Sequence, residues 1–190
     1  MSKLVWVDCE MTGLGMAGSV GKDRLLEIAV IVTDSDLSNM HKGPNLIIHQ
    51  SAQVLSDMND WCKSQFGYSP DGKHEAGKLA QAVAQSTISE AEAEKQIIEF
   101  LSKHVEPGKG LLSGNSVHAD KKFLEAYMPN LMKYLHYRIL DVSTVKELCA
   151  RWYPQDFAKA PPKANKHRAL DDIEASIEEL KFYRSAIFKP

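Results

Sequence analysis

Two acids stand one residue apart near the start of the chain, in Val5-Trp6-Val7-Asp8-Cys9-Glu10-Met11-Thr12-Gly13-Leu14, at the end of an otherwise apolar run. The alternation of a β-strand puts Trp6, Asp8 and Glu10 on one face and Val5, Val7 and Cys9 on the other. Two carboxylates side by side repel, and the ordinary way to hold them together is a divalent metal bound by hard oxygen ligands. A solvated strand end has the same Asp-x-Glu pattern, so companions elsewhere in the chain must decide between the two.

The companions are in the last stretch, His167-Arg168-Ala169-Leu170-Asp171-Asp172. At about 100° per residue, Leu170, Ile173, Ile177 and Leu180 share one face of a helix. Asp172 lies on the flank of that face, beside Ala169, Ser176 and Tyr183, while Asp171 points nearly opposite. Periodicity alone therefore sends Asp172 toward a partly buried site and leaves Asp171 in solvent. His167 enters the helix behind a Pro-rich loop. A neutral imidazole beside carboxylates and metal is a suitable proton acceptor, because its unperturbed pKa lies near physiological pH; a surface or capping histidine would occupy the same place. A pair of metals needs one more acid. Asp120 is the candidate, at a helix start just after Gly114-Asn115-Ser116, although a first-turn acid is also favoured there by the helix dipole alone.

The elements that must position these groups follow from pattern. After β-strand 1 comes a Gly-rich connection from Gly13 to Gly21. The run Arg24 to Asp34 is apolar enough for a strand buried on both faces, and Pro44 to His49 completes a three-stranded meander. Glu27 interrupts the second strand and reads as a structural residue facing the edge of the meander. Val54, Leu55, Met58, Trp61 and Cys62 recur at helical spacing over Gln53 to Gln65, with a loop from Gly67 to Lys78 after them. Ser89 and Glu92 form a capping-box signature ahead of a helix that ends before Pro107. A short strand from Leu111, a helix from Asp120 stopped by Pro129, a strand over Tyr137 to Val142 and a helix from Ser143 to Trp152 complete the middle, the last with a loose capping box at Ser143. Tyr153 to Lys166 is an exposed connection, and His167 to Ile187 is the longest helix. Strands first, then alternating helix and strand, predict an α/β fold, with a mixed sheet flanked by helices in one domain over residues 1–190.

Composition narrows the function classes. At 44% hydrophobic and 25% charged, the 190-residue chain is ordinary for a globular domain with a sizeable core. The longest apolar runs are strand-sized, so no membrane span is expected, and the first strand begins too early for a leader peptide in this chain. Cys9, Cys62 and Cys149 are odd in number and widely spaced, which argues against a disulfide framework and a zinc site and suits a reducing compartment. A cytoplasmic location is expected, with a mitochondrial one left open through a removed leader. The net charge of −2 supplies no field for gripping a long nucleic acid, so a nucleic-acid substrate should be small.

Taken together, Asp8-x-Glu10, Gly114-Asn115-Ser116-Val117-His118-Ala119-Asp120 and His167-Arg168-Ala169-Leu170-Asp171-Asp172 resemble, in order and spacing, the motifs of the DEDD exonuclease superfamily, histidine subtype. With Trp6 to Leu14, His136 to Thr144 and Lys146-Glu147-Leu148, the chain from about Lys3 to Phe188 is similar to the oligoribonuclease family, most of all to its eukaryotic branch of small RNA exonuclease 2 type. The resemblance implies a ribonuclease H-like fold with a five-stranded sheet and a homodimer. It implies that Asp8, Glu10, Asp120 and Asp172 bind two Mg²⁺ or Mn²⁺ ions and that His167 is the general base. The implied activity is 3′-to-5′ hydrolysis of short RNA, about two to five nucleotides and above all dinucleotides, to nucleoside 5′-monophosphates, in keeping with the weak net charge.

Leu14 and Trp61 are apolar groups able to sandwich a terminal base, although a tryptophan at helical spacing is as readily a core residue. By the resemblance, Ser116, Arg138 and Ser143 match positions that grip a 5′ phosphate, and Tyr137 matches a residue lent by a partner subunit. Arginine suits this task through its planar donor fork. Two departures concern the 3′ end. The segments Gly15 to Lys22 and Tyr68 to Lys78 look longer than usual for the family, and Phe66 stands where a histidine is common. A proofreading-type exonuclease of the same superfamily and a nucleotide-binding module without catalysis are the rival readings. Four mutually repelling acids with a histidine disfavour the second.

Overall fold

A central sheet has the order β3-β2-β1-β4-β5, with β1 (Leu4–Met11), β2 (Leu25–Thr33) and β3 (His41–Ile47) running antiparallel, and β4 (Leu111–Gly114) and β5 (His136–Asp141) joining β1 in parallel. The computed structural model describes residues 3–14, 22–162 and 168–189. The meander is the expected one: β2 is buried along its whole length because it has a neighbour on each side and helices on each face. β3 begins earlier than its apolar residues suggest and contains Pro44, which an edge strand tolerates because its outer amides have no ladder partner.

Side-chain alternation divides the core as the strand period requires. Val5, Val7 and Cys9 pack with α4 (Glu90–Ser102), α5 (His118–Tyr127) and α6 (Pro129–Tyr134). Leu4, Trp6, Ala29 and Ile31 pack on the opposite face with α7 (Val142–Trp152) and α9 (Ala169–Ile187). Asp8 and Glu10 therefore face α9, the helix that carries Asp172. A third cluster gathers Leu26 with α1 (Ala52–Ser56), α2 (Asp60–Phe66) and α3 (Leu79–Gln85).

Several elements differ from expectation for identifiable reasons. The predicted helix over 53–65 is two, because Asn59 stops the first and caps the second by accepting from the Cys62 amide at 2.8 Å. Helix α3 follows the loop, with Leu79, Ala80 and Val83 buried, in a stretch too alanine-rich to show a strong pattern. Pro129 ends α5 but also opens α6, since proline is well suited to a first helical position. At α7 the cap is Asp141, which accepts from Ser143, so Ser143 is inside the helix. The short helix α8 (Pro154–Phe157) lies in the expected connection. No described helix is long and apolar enough to cross a membrane.

The sheet also makes a cleft. β1 and β4 pair only over Leu4–Trp6 with Leu111–Ser113, and the chain leaves the sheet at Gly114, where a Cβ would stand 2.9 Å from the Val7 carbonyl. Glycine lets the backbone pass that close and turn away. The carboxyl end of β1, with Asp8 and Glu10, is thus left open at the position where α/β sheets bind ligands.

Candidate active site

Asp8, Glu10 and Asp172 each offer an oxygen within 4.8 Å of the others. Asp172 is delivered by the first turn of α9, on the flank that the apolar face of the helix turns toward β1, while Asp171 is exposed. Asp120, in the first turn of α5, is buried, and its Oδ1 accepts from the Cys9 amide at 2.9 Å. That bond ties α5 to the residue between the two strand acids and brings the fourth carboxylate to Asp8 from the opposite side of the sheet. β1 and α9 thus supply the three acids within 4.8 Å of one another, and α5 supplies Asp120 through the Cys9 amide. His167 lies outside the described residues.

The cluster is electrostatically costly. Burial, then Asp120 and Glu10, push Asp8 up to about 9. Burial, then Asp172, Glu27 and Asp120, push Glu10 up to about 8, with Arg168 opposing the rise. Asp120 is raised by its burial to about 7, although the Cys9 amide favours its charged form. Ionised together without a cation, these groups destabilise one another; a hard divalent cation relieves them, and an all-carboxylate oxygen donor set is the kind such ions take. The residues present fit that group. Buried Cys9 is held as a thiol well above its ordinary pKa, by desolvation first and then by Asp120, so it is no nucleophile at neutral pH.

Beside Glu10 opens a cavity of about 440 Å³ lined by Cys9, Met11, Gly13, Leu14, Trp61 and Phe66 among others. Leu14 and Trp61 are each 59% exposed, so the tryptophan is not a core residue despite its helical spacing. Phe66 is buried and meets the Trp61 ring edge-on, with centroids 6.4 Å apart. An apolar slot flanked by an aromatic ring, next to a carboxylate cluster, can hold a base with its phosphodiester turned toward the acids.

A polar group lies around the β4–α5 turn. Ser116 adopts φ +51, and its amide donates to Asp141 Oδ1 and Ser143 Oγ, both at 2.9 Å; the two serine hydroxyls are 3.0 Å apart. Ser143 donates to Asn115 Oδ1 at 3.1 Å, and the Asn115 amide donates to Ser176 and Glu179 of α9. Ser116 and Ser143 are therefore brought together. Arg138 and Tyr137 are on the edge strand β5, where the Arg138 Nε donates to the Tyr137 hydroxyl at 3.0 Å and the guanidinium lies over its ring; Tyr137 is 75% exposed.

Pattern reading missed the Cys9 amide, the Asp141 hub and the true place of Glu27. That residue does not face the meander edge. It pairs directly across from Glu10, is fully buried, and accepts from Arg168 Nε and Nη2, each at 3.2 Å. An acid inside an apolar strand was the available signal, and its partner lies 141 positions further along the chain.

The chain matches the exonuclease family over residues 5–180. It is 53% identical over 187 residues to the mitochondrial oligoribonuclease of Mus musculus, covering 98% of this chain and 74% of that protein. It is 48% identical over 187 residues to the oligoribonuclease of Marinobacter nauticus, covering 98% and 97%. Among solved structures, E. coli exonuclease I in complex with a dA16 oligonucleotide superposes with a TM-score of 0.73 at 17% identity, covering 98% of this chain and 42% of that one; the likeness is one of fold.

Proposed function

We infer the reaction from one premise: this chain belongs to the oligoribonucleases, a branch of the exonuclease family. It is a 3′-to-5′ exoribonuclease that acts on short oligoribonucleotides. Its preferred substrates are dinucleotides, released as nucleoside 5′-monophosphates by one exonuclease domain. The observation that carries this reading is the meeting of Asp8, Glu10 and Asp172 within 4.8 Å beside the Leu14–Trp61 cavity.

In this reading Asp8, Glu10, Asp120 and Asp172 hold two Mg²⁺ or Mn²⁺ ions, which when bound lower the pKa of an attacking water and stabilise the leaving 3′ oxygen. Leu14 and Trp61 clamp the 3′ base and set the scissile phosphate against the carboxylates. His167 accepts the proton of the water, since neutral imidazole is a competent base near pH 7. Ser116, Ser143 and Arg138 take the 5′ phosphate, and a site closed at that end favours two-nucleotide substrates. The exposed Tyr137 and Ile139 on the edge strand β5 support a homodimer in which Tyr137 reaches the partner's site. The cytoplasm is the proposed location, with mitochondria added where a leader is present.

The test is incubation of a 5′-phosphorylated diribonucleotide with wild type and Asp8→Ala, with Mg²⁺ or EDTA. Monophosphates should form only with wild type and metal. Fast degradation of long single-stranded DNA with the dinucleotide left intact would overturn the substrate; a monomer mass at full activity would remove the dimer.

A further inference from the structure

A buried carboxylate outside the Asp8–Glu10–Asp172 group needs its own reason to sit in the floor of this site. Glu27 is 0% exposed in the middle of β2, and its register partner on β1 is Glu10. Directly opposed residues on antiparallel strands bring their Cβ atoms within about 5 Å. Its partner Arg168 precedes α9, and its carbonyl accepts from the Asp172 amide at 3.1 Å. The guanidinium meets Glu27 in the two-pronged geometry that arginine makes with a carboxylate. One cation is thereby delivered to the edge of the acidic cluster, within reach of Glu10, and a second acid holds it by both prongs.

We propose that Glu27 is a positioning residue that keeps the Arg168 guanidinium off the Asp8–Glu10–Asp172 cluster, so that the cluster stays open to divalent cations. Among the described residues, the Arg168 guanidinium is the cation that acts on Glu10, and so it competes for these oxygens. Without the Glu27 charge its nearest alternative is Glu10, across the strand pair, where it would neutralise a carboxylate needed for metal. The pair also fastens the start of α9 to the sheet, but fastening alone makes a different prediction from competition. The inference rests on the reading of the acids as a metal centre and is independent of which nucleic acid is cut.

The measurement is Mn²⁺ binding to the full chain, by electron paramagnetic resonance of free Mn²⁺, with melting temperature recorded for each variant. Glu27→Gln should weaken Mn²⁺ binding by about tenfold, the low end of the loss seen for outer-shell partners. Glu27→Gln with Arg168→Gln should recover most of it, because the competitor has gone. A double variant that binds no better than Glu27→Gln, or a Glu27→Gln with wild-type affinity, overturns the proposal. Should Glu27→Gln fail to fold, the Arg168 variants decide. Arg168→Lys keeps the charge but loses the fork, and should bind Mn²⁺ more weakly than Arg168→Gln; the reverse order means that Arg168 serves only to fasten the helix. Wild-type protein that takes up no Mn²⁺ would overturn the metal centre itself, and this inference with it.

Discussion

Removing Trp61 separates its two candidate roles by magnitude. The indole is 59% exposed, faces the cavity that Leu14 also lines, and meets Phe66 edge-on. An aromatic contact of that kind contributes about 0.5–1.5 kcal/mol beyond area burial. In a protein of this size 1 kcal/mol shifts the melting temperature by about 2–4 °C, so Trp61→Ala should cost at most about 6 °C. A stacked base, by contrast, is worth about 1–3 kcal/mol. At 1.36 kcal/mol per tenfold, that is a loss of about 5- to 160-fold in kcat/KM on a dinucleotide. A base stacked there would be held in ground and transition states alike, so the loss should fall on KM with kcat nearly kept. Initial rates at saturating Mg²⁺, run beside thermal melts, test both halves, and Trp61→Phe should retain part of the affinity. A KM unchanged within error, with a melting temperature lowered by more than 10 °C, would show that Trp61 holds α2 in place and that no base stacks there.

Three further outcomes are expected. Asp172→Asn should lower kcat by more than about 100-fold, the upper end for loss of an outer-shell partner, and leave the fold intact by circular dichroism; a loss below tenfold would remove Asp172 from the metal set. In EDTA, the raised values of Asp8 (about 9), Glu10 (about 8) and Asp120 (about 7) mean that the folded state binds more protons than the unfolded one between about pH 4 and 9. The stability they contribute is complete near pH 4 and falls as pH rises through these values, so metal-free melting temperatures should decline from pH 5.5 to 8.5, Mn²⁺ should restore more at the alkaline end, and Asp8→Asn should flatten the slope; a metal-free profile that rises over this range refutes the reasoning. Asp141→Ala removes the α7 cap and the acceptor of the Ser116 amide; a cap is worth about 1 kcal/mol, so the melting temperature should fall by about 2–4 °C, and KM should rise more for 5′-phosphorylated than for 5′-hydroxyl dinucleotides, equal rises speaking against a phosphate site at Ser116.

The sheet was readable because its strands carry period-two or fully apolar runs that no helix would share. Val5, Val7 and Cys9 fall on one face and Trp6, Asp8 and Glu10 on the other in sequence and in space. The short helices were not. Helix α1 is five residues long and α6 six, too short for periodicity to register, and both depend on tertiary burial of Leu55 and Leu131. The cap of α7 lies two residues before Ser143, at Asp141, a residue that also ends a strand, and it is the fold that lets its carboxylate accept from the Ser143 and Ser116 amides at once.

The site divides along a similar line. Carboxylates announce themselves, because an acid at the end of an apolar strand or on the flank of an apolar helix face contradicts its surroundings, and Asp8, Glu10 and Asp172 do meet. What sequence does not carry is the pairing of one anomaly with another. Glu27 is the same kind of contradiction as Glu10, one strand over, yet the two differ in what faces them. Glu10 has Asp172 within ligand distance, whereas Glu27 has Arg168 at 3.2 Å. An acid opposed by acids requires a cation from solution, while an acid opposed by a guanidinium already has one. That difference separates Asp8, Glu10 and Asp172, whose oxygens lie within 4.8 Å of one another, from Glu27, which already faces a guanidinium, and it depends on the direction in which a single arginine side chain leaves the start of α9.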